Sequence, residues 1–480
     1  MRISFINSTL GGDYSALDIA ITSLATYLNE RSEHNANIID LTFHRKHWKT
    51  HLLKKMRELK PDIIGFSTND LYMEHTKKIA RFIKQHFEIP IIAGGYYASI
   101  HSAEAINIPY FDYVLVGDGE YSLTALLSAI EKHETIAING VLYKEGGEIK
   151  GNAVGSFIHN LNALPAPNYD LWEDLDKYFY FLGMLYMIGN RGCPFNCTYC
   201  DALQIKPVVR GNYYRIIDPV YYVEQIAANW EKYKSRGLRF IQMFDQVFTL
   251  DIKWLSKFVD EYVKRGLNEE LGWSVFARID QLDEERIKLL AKGNCKLVRV
   301  GIEAGNDFIR NEVYEKHLSK KQILNTFALL REYGVGATAY YILGGPGETR
   351  KTIEETISLA REVAASRSAF FIYKPFTEKG TRLMEKYGGY IDQKRLKKAD
   401  NITFDAVVHL KDIGPREIEW LQKKAYFFTF GKRLMKMLKR LKLMYFAQLA
   451  AYIMRGLYHG LDLYYLILYY QIYGYDNVDK

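Results

Sequence analysis

Three cysteines, Cys193, Cys197 and Cys200, fall within the stretch Cys193-Pro194-Phe195-Asn196-Cys197-Thr198-Tyr199-Cys200, and the 480-residue chain holds only one more, Cys295. Thiolates spaced C-x3-C-x2-C on one tight loop can hold three corners of an iron–sulfur cube and leave the fourth iron without a protein ligand. An iron left open can bind and activate a small molecule rather than only relay electrons. Gly189, Gly192 and Pro194 around the run allow the backbone to fold the three sulfurs inward. Other uses of clustered cysteine fit less well. Structural zinc takes four Cys or His ligands, commonly in two paired halves, and no second C-x2-C pair follows here. A disulfide framework belongs to small secreted chains dense in cysteine. Cys295, in an apolar context, reads as a buried thiol.

The spacing, with an aromatic residue just ahead of the last cysteine, resembles the signature of the radical S-adenosylmethionine (SAM) superfamily. That resemblance implies a [4Fe–4S] cluster on Cys193, Cys197 and Cys200, with SAM bound at the open iron. It also implies that Tyr199 packs near the SAM adenine.

The elements that must position this loop are legible as apolar runs separated by helical patterns. From about residue 180 to 385 the runs are Leu185–Ile188, Phe240–Phe244, Trp273–Phe276, Val298–Ile302, Ala337–Leu343 and Phe370–Tyr373. Strands alternating with helices in this way predict a partial (β/α)6 TIM-like barrel, whose chemistry sits at the C-terminal strand ends. The cysteines follow the first of these strands. Later strand ends carry residues that resemble the superfamily's SAM-binding motifs in kind and order. Asp245 would pair with the SAM ammonium, and Arg278 and Asp280 follow the third strand. Glu303 would take a ribose hydroxyl, and Gly344 and Gly345 would let the adenine lie against the backbone. Each has a plainer reading as a cap or a turn.

Residues 1–140 alternate in the same manner, with strands at Ile3–Ile6, Ala36–Leu41, Asp62–Thr68, Pro90–Gly94 and Tyr113–Gly117. This predicts an α/β, flavodoxin-like doubly wound parallel sheet, with ligands beyond the carboxyl ends of its strands. Small residues gather there: Gly11-Gly12-Asp13, Ser67 and Thr68, Gly94 and Gly95, and Gly117, Gly119 and Glu120. Together they resemble the cobalamin-binding domain that precedes many radical SAM cores. One departure is visible. The Asp-x-His-x-x-Gly motif that supplies a cobalt ligand in many such domains is replaced by Asn7-Ser8-Thr9-Leu10-Gly11-Gly12-Asp13, so any cobalamin is expected without a histidine from this turn. His44, His47, His51, His75 and His101 read as surface residues.

Residues 141–180 read as a hairpin followed by a proline-stiffened linker, Leu164–Asp170. Residues 386–480 read as a helical C-terminal region. There Lys432, Arg433, Lys436, Lys439 and Arg440 share one face of an amphipathic helix, followed by the aromatic stretch Leu461–Tyr470. That stretch is too short to span a bilayer. A helical cap over the core is the plain reading, and peripheral membrane contact the alternative.

Length allows two or three domains, and 48% hydrophobic with 25% charged residues is ordinary for a globular protein. The net charge of +8 makes no case for nucleic acid. Few cysteines and the absence of a signal-peptide pattern lead to an expectation of the cytoplasm. The resemblance covers residues 1–385 and implies a cobalamin-dependent radical SAM enzyme. Its chemistry would be methyl transfer to an unactivated carbon or a phosphorus centre through a 5′-deoxyadenosyl radical. Partners implied are a small-molecule substrate and an electron donor such as flavodoxin or ferredoxin. Cyclisation, rearrangement or oxygen insertion with the same cofactors stays open, as does a redox sensor that binds cobalamin or SAM.

Overall fold

The computed structural model describes residues 1–10, 17–70, 72–375, 377–396, 404–438, 443–461, 463 and 466, without the side chains of 430–448. The first sheet begins with β1 (Arg2–Asn7), β2 (Asn35–Asp40), β3 (Ile63–Ser67), β4 (Ile91–Gly94) and β5 (Tyr113–Leu115). These strands are parallel in the order β2-β1-β3-β4-β5, as in a flavodoxin-like sheet. Their residues are buried almost throughout because helices cover both faces.

The hairpin, β6 (Val141–Glu145) and β7 (Glu148–Asn152), turns at Gly146-Gly147, both at positive φ. It pairs antiparallel with β5 and extends the first sheet. Fully buried Val141 explains the attachment. A short strand β8 (Gly155–Ser156) then pairs with β10 (Val209–Arg210), which lies just beyond the cysteine loop.

The second sheet holds β9 (Met184–Met187), β11 (Phe240–Met243), β12 (Gly272–Ala277), β13 (Cys295–Glu303), β14 (Gly336–Leu343) and β15 (Arg367–Ile372). All neighbours are parallel, in the order β15-β14-β13-β12-β11-β9. This is the six-stranded partial barrel expected. Its helices start on side-chain caps: Asp218 accepts from Val220 and Tyr221, and Thr349 forms a capping box with Thr352.

The segment read as a linker is a buried seam. Tyr169, Leu175 and Tyr178 have no exposed surface, and one hydrophobic core runs through the seam from the first sheet to the barrel. Tyr178 donates to Asp40 Oδ2 at 2.9 Å and Trp172 Nε1 to Thr22 Oγ1 at 2.9 Å. The prolines stiffen a segment that aromatic burial then locks in place.

At the C-terminus, the helix Pro415–Leu438 lies along β15, and Gln422 Nε2 donates to Phe370 O at 2.7 Å. The helix Leu443–Tyr458 reaches back toward the seam, where Tyr452 donates to Phe181 O at 2.8 Å. The side chains of Lys432, Arg433 and Lys436, residues Lys439 and Arg440, and most of Leu461–Tyr470 lie outside the described residues. Among the described residues, no helix is long and apolar enough to cross a membrane.

Candidate functional site

A cleft opens between the carboxyl ends of the first sheet and the mouth of the barrel. It encloses about 1410 Å³, its open mouth included, and it is lined by Ser67, Thr68, Gly94, Gly95, Gly117, Gly119 and Glu120. The structure thus brings together the residues of the later strand ends singled out on the first sheet, while Gly11, Gly12 and Asp13 lie outside the described residues. The barrel contributes Ile188, Arg191, Gly192 and Gln246. Thr68 shapes the floor by donating its hydroxyl to Gly94 O at 2.6 Å and accepting from Ala98 N at 3.1 Å. Gly95 has φ +93°, and a Cβ there would stand 2.7 Å from Thr68 O. At Gly94 the nearest atom to a Cβ would be 3.9 Å away, so glycine there leaves room above the backbone. No described residue lining the cleft is a histidine.

The cysteine loop leaves the barrel at the end of β9. Asp245 receives the amides of Gly189 at 3.2 Å and Asn190 at 2.6 Å, and the Tyr222 hydroxyl at 3.3 Å. It has no exposed surface, and burial pushes its carboxyl up to about 6. Its oxygens are turned to the backbone from which the loop departs. Gly192 has φ +88°, and a Cβ would come within 1.9 Å of Tyr213 O, so only glycine fits beside Cys193.

Cations surround the thiols. Arg278 Nη1 donates to Cys197 Sγ at 3.2 Å, and the guanidinium lies over the Phe195 ring at 3.8 Å. Asp280 and the Lys316 carbonyl fix that guanidinium at 3.0 and 2.9 Å. Lys206 Nζ donates to Phe195 O at 2.7 Å and Asn196 Oδ1 at 2.9 Å. Burial raises the Cys193 thiol and pushes Cys200 up to about 12, so a metal group taking these sulfurs must displace their protons. Among the described residues, no three His, Cys, Asp or Glu side chains converge on one point as a single ion requires. Three soft sulfurs under positive charge suit an iron–sulfur cluster.

Beside the loop, Tyr199 donates to Glu303 Oε1 at 2.8 Å, and Lys316 Nζ lies 3.1 Å from the same oxygen. Glu303 has φ +70°, where the β13–β14 register shifts. The carboxylate folds back over Gly301, whose Cβ would stand 2.0 Å from it. A non-glycine residue held left-handed at a strand end is a strained, over-determined feature. Gly344 and Gly345 donate their amides to Glu348 Oε2 at 2.7 and 2.9 Å. A Cβ on Gly344 would meet Ile418 at 3.0 Å, and one on Gly345 the Tyr314 hydroxyl at 1.8 Å. In the Cβ direction both glycines are packed against protein.

Sequence reasoning missed the ion cluster that closes the floor of the cleft. Arg191 Nη2 contacts Glu120 Oε1 at 2.5 Å and its Nη1 lies 3.5 Å from Asp118 Oδ1, while Arg215 pairs with Asp118. Glu120, 3% exposed, therefore joins the first sheet to the cysteine loop as well as lining the cleft. A second bridge links Tyr96 to Tyr213 at 3.0 Å, with Gln246 Nε2 donating to Tyr96 at 2.9 Å. The available signal was Arg191 itself, two residues before Cys193.

Two family models match: the B12 binding domain over residues 3–127 and the Radical SAM superfamily over residues 187–360. The chain is 29% identical over 425 residues to an uncharacterized methyltransferase of Pyrococcus horikoshii, PH0819, covering 85% of this chain and 87% of that one. It is 26% identical over 337 residues to the anaerobic magnesium-protoporphyrin IX monomethyl ester cyclase of Cereibacter sphaeroides, covering 68% of this chain and 53% of the cyclase. In fold it resembles the radical SAM methyltransferase TsrM from Kitasatospora setae, solved with cobalamin and a [4Fe–4S] cluster. That likeness has a TM-score of 0.68 at 20% identity, over 84% of this chain and 78% of TsrM.

Proposed function

The chain belongs to the radical SAM superfamily and carries a B12-binding domain ahead of its barrel, and from that premise we propose that it is a methyltransferase acting on an unactivated carbon or a phosphorus centre. Its cofactors are a [4Fe–4S] cluster, SAM and cobalamin. When bound, these groups supply reductive cleavage of SAM to a 5′-deoxyadenosyl radical, hydrogen abstraction from the substrate and a methyl group for transfer.

The observation that carries the reading is the shared cleft, in which a glycine-lined strand-end cradle faces the loop that begins at Gly192. In this reading Cys193, Cys197 and Cys200 hold the cluster, and Arg278 and Lys206 offset its negative charge. Tyr199 and Glu303, with Lys316, position the nucleoside part of SAM, and the turns at Ser67, Gly94 and Gly117 receive the corrin. Arg191 and Glu120 hold the two halves in register. Asp245 is a positioning residue. An electron donor such as flavodoxin or ferredoxin supplies the reducing electrons. The C-terminal helices expose Phe427, Phe428 and Tyr458, which favours peripheral contact with a membrane surface.

Anaerobic incubation of reconstituted protein with SAM, cobalamin, reductant and candidate substrates tests the proposal. It should release 5′-deoxyadenosine together with S-adenosylhomocysteine, the by-product of recharging the methyl carrier. Persistent absence of 5′-deoxyadenosine overturns the radical reading. Ring formation is the second reading, favoured by the likeness to the cyclase; it would yield 5′-deoxyadenosine without S-adenosylhomocysteine.

A further inference from the structure

The helix Leu443–Tyr458 carries a single charged residue, Arg455, among 16. Its inner side meets protein: Tyr452 is buried, and a Cβ on Gly456 would stand 2.2 Å from Leu466. Its outer side is apolar where it leaves the protein. Met454 is 67% exposed, Leu457 41% and Tyr458 79%. A helix apolar on both sides calls for cover on both. Arg455 does not interrupt that outer face, because its guanidinium lies over the Tyr180 ring at 4.2 Å. With 16 residues the helix reaches about 24 Å, short of a hydrocarbon core of about 30 Å, so it can lie on a bilayer but not cross one.

Positive charge adjoins this face. Lys46 Nζ donates to Leu457 O at 2.7 Å, and a Cβ on Gly460 would stand 3.3 Å from Lys46 Cγ. About one turn on, Lys49 enters a groove between the helices Trp48–Leu59 and Met73–Lys84, which it lines with Trp48, Lys77, Lys78, Arg81 and Phe82. The groove encloses about 900 Å³, its open mouth included. Its one acid, Glu74, is held by Lys77 at 2.9 Å. Lys49 Nζ lies 5.4 Å from the centre of the Phe82 ring, and Lys78 Nζ 5.9 Å from that of Trp48. Among the described residues, Lys49, Lys78 and Arg81 form no ion pair. Residues 45–85 hold eleven lysines and arginines against four acids, in a chain whose net charge is +8. Most of the excess positive charge therefore lies in this one segment.

We propose that this face binds an anionic lipid bilayer, with Met454, Leu457 and Tyr458 entering the headgroup layer and the Lys49–Lys78–Arg81 groove taking the negative headgroups. The inference rests on the peripheral membrane contact already proposed, and it names the surface and the lipid charge. Lysine stems lie along apolar neighbours while their ammonium groups stay among headgroups, and a tyrosine ring suits the same boundary. A two-fold pairing of this face with a second copy would instead bring two basic surfaces together.

Flotation of the full-length, cluster- and cobalamin-loaded protein with vesicles tests this, using phosphatidylcholine alone and phosphatidylcholine mixed with phosphatidylglycerol. Binding to the mixed vesicles should be at least about tenfold tighter, and high salt should weaken it. Lys49→Ala with Lys78→Ala should remove most of that preference. The same charge removed from exposed positions on barrel helices, Lys253→Ala with Lys321→Ala, should not. Met454→Ser with Tyr458→Ser should weaken binding to both kinds of vesicle. All these side chains are exposed, so the variants should keep the wild-type denaturation midpoint. Equal binding to both vesicles, or a loss through Phe427→Ala but not through Tyr458→Ser, overturns this surface and leaves peripheral contact standing. No binding to either vesicle overturns the peripheral contact as well. A dimer that Met454→Ser with Tyr458→Ser converts to monomer, with vesicle binding unchanged, assigns the face to a second copy and overturns the proposal.

Discussion

The two parallel sheets end on the same cleft yet finish their strands differently. Past β3, β4 and β5 stand Ser67-Thr68, Gly94-Gly95 and Gly117, small residues fixed by backbone and hydroxyl hydrogen bonds. Past the barrel strands stand Asp245, Arg278, Glu303 and Glu348, all buried and each turned inward onto a protein partner. The first surface is suited to recognise a large ligand by shape. The second is suited to hold a charged cluster and a charged nucleoside, and its own acids and cations are arranged to support the loop before any ligand arrives. The two kinds of strand end should therefore fail separately.

The largest effect is expected from Cys193→Ala. It should abolish the visible absorbance of the reconstituted cluster and reduce 5′-deoxyadenosine to background, while cobalamin still co-purifies. Loss of cobalamin as well would show that the two surfaces do not work independently. The converse substitution is Gly94→Leu, which fills the cradle from a position with room for a Cβ. Overpacking of this kind leaves the fold largely intact, so retained cobalamin should fall at least about tenfold while iron content stays at the wild-type level.

Arg191→Met attacks the contact between the surfaces. It leaves Glu120 and Asp118 buried with one partner fewer, and breaking a buried ion pair costs about 3–5 kcal/mol. Chemical denaturation should detect that loss. Arg191→Lys should restore only part of it, because a single ammonium cannot span both carboxylates as the guanidinium does. A loss under about 1 kcal/mol would mean that the buried aromatic seam, not the ion cluster, holds the halves together.

The comparison also separates what was legible in the chain from what was not. Strands covered by helices on both sides are short continuous apolar runs, so Ile63–Ser67 and Gly336–Leu343 could be read within a residue or two. Glycine-rich turns at strand ends are equally visible, and those chosen on the first sheet at Ser67, Gly94 and Gly117 line the cleft. An acid after a strand is ambiguous, because its neighbours in sequence look the same whether it faces a ligand or the backbone behind it. Asp245 faces the backbone. Glu303 carries no local mark of its left-handed conformation, which comes from the bulge between β13 and β14. Arg191 and Glu120 are 71 residues apart, and only the folded chain brings them together.

The smallest predicted effect concerns Glu348, which ties the Gly344-Gly345 turn to the barrel. It is 2% exposed, and burial pushes its carboxyl up to about 8 against an ordinary 4.5. The folded protein thus keeps a proton that the unfolded chain releases above the ordinary value, and stability attributable to this group falls as pH rises from 4.5 to 8. Between pH 6 and pH 8 the fall should be about 2 kcal/mol. Glu348→Gln is neutral throughout and still offers a carbonyl oxygen to the two amides, so it should lose this slope and keep the turn. Denaturant midpoints of the wild type and Glu348→Gln, followed across that interval, should converge toward acid and separate toward base. Parallel curves would mean that Glu348 is ionised at neutral pH. The turn would then hold a second buried charge whose partner lies beyond the two amides, and the barrel end would be more heavily charged than its geometry implies.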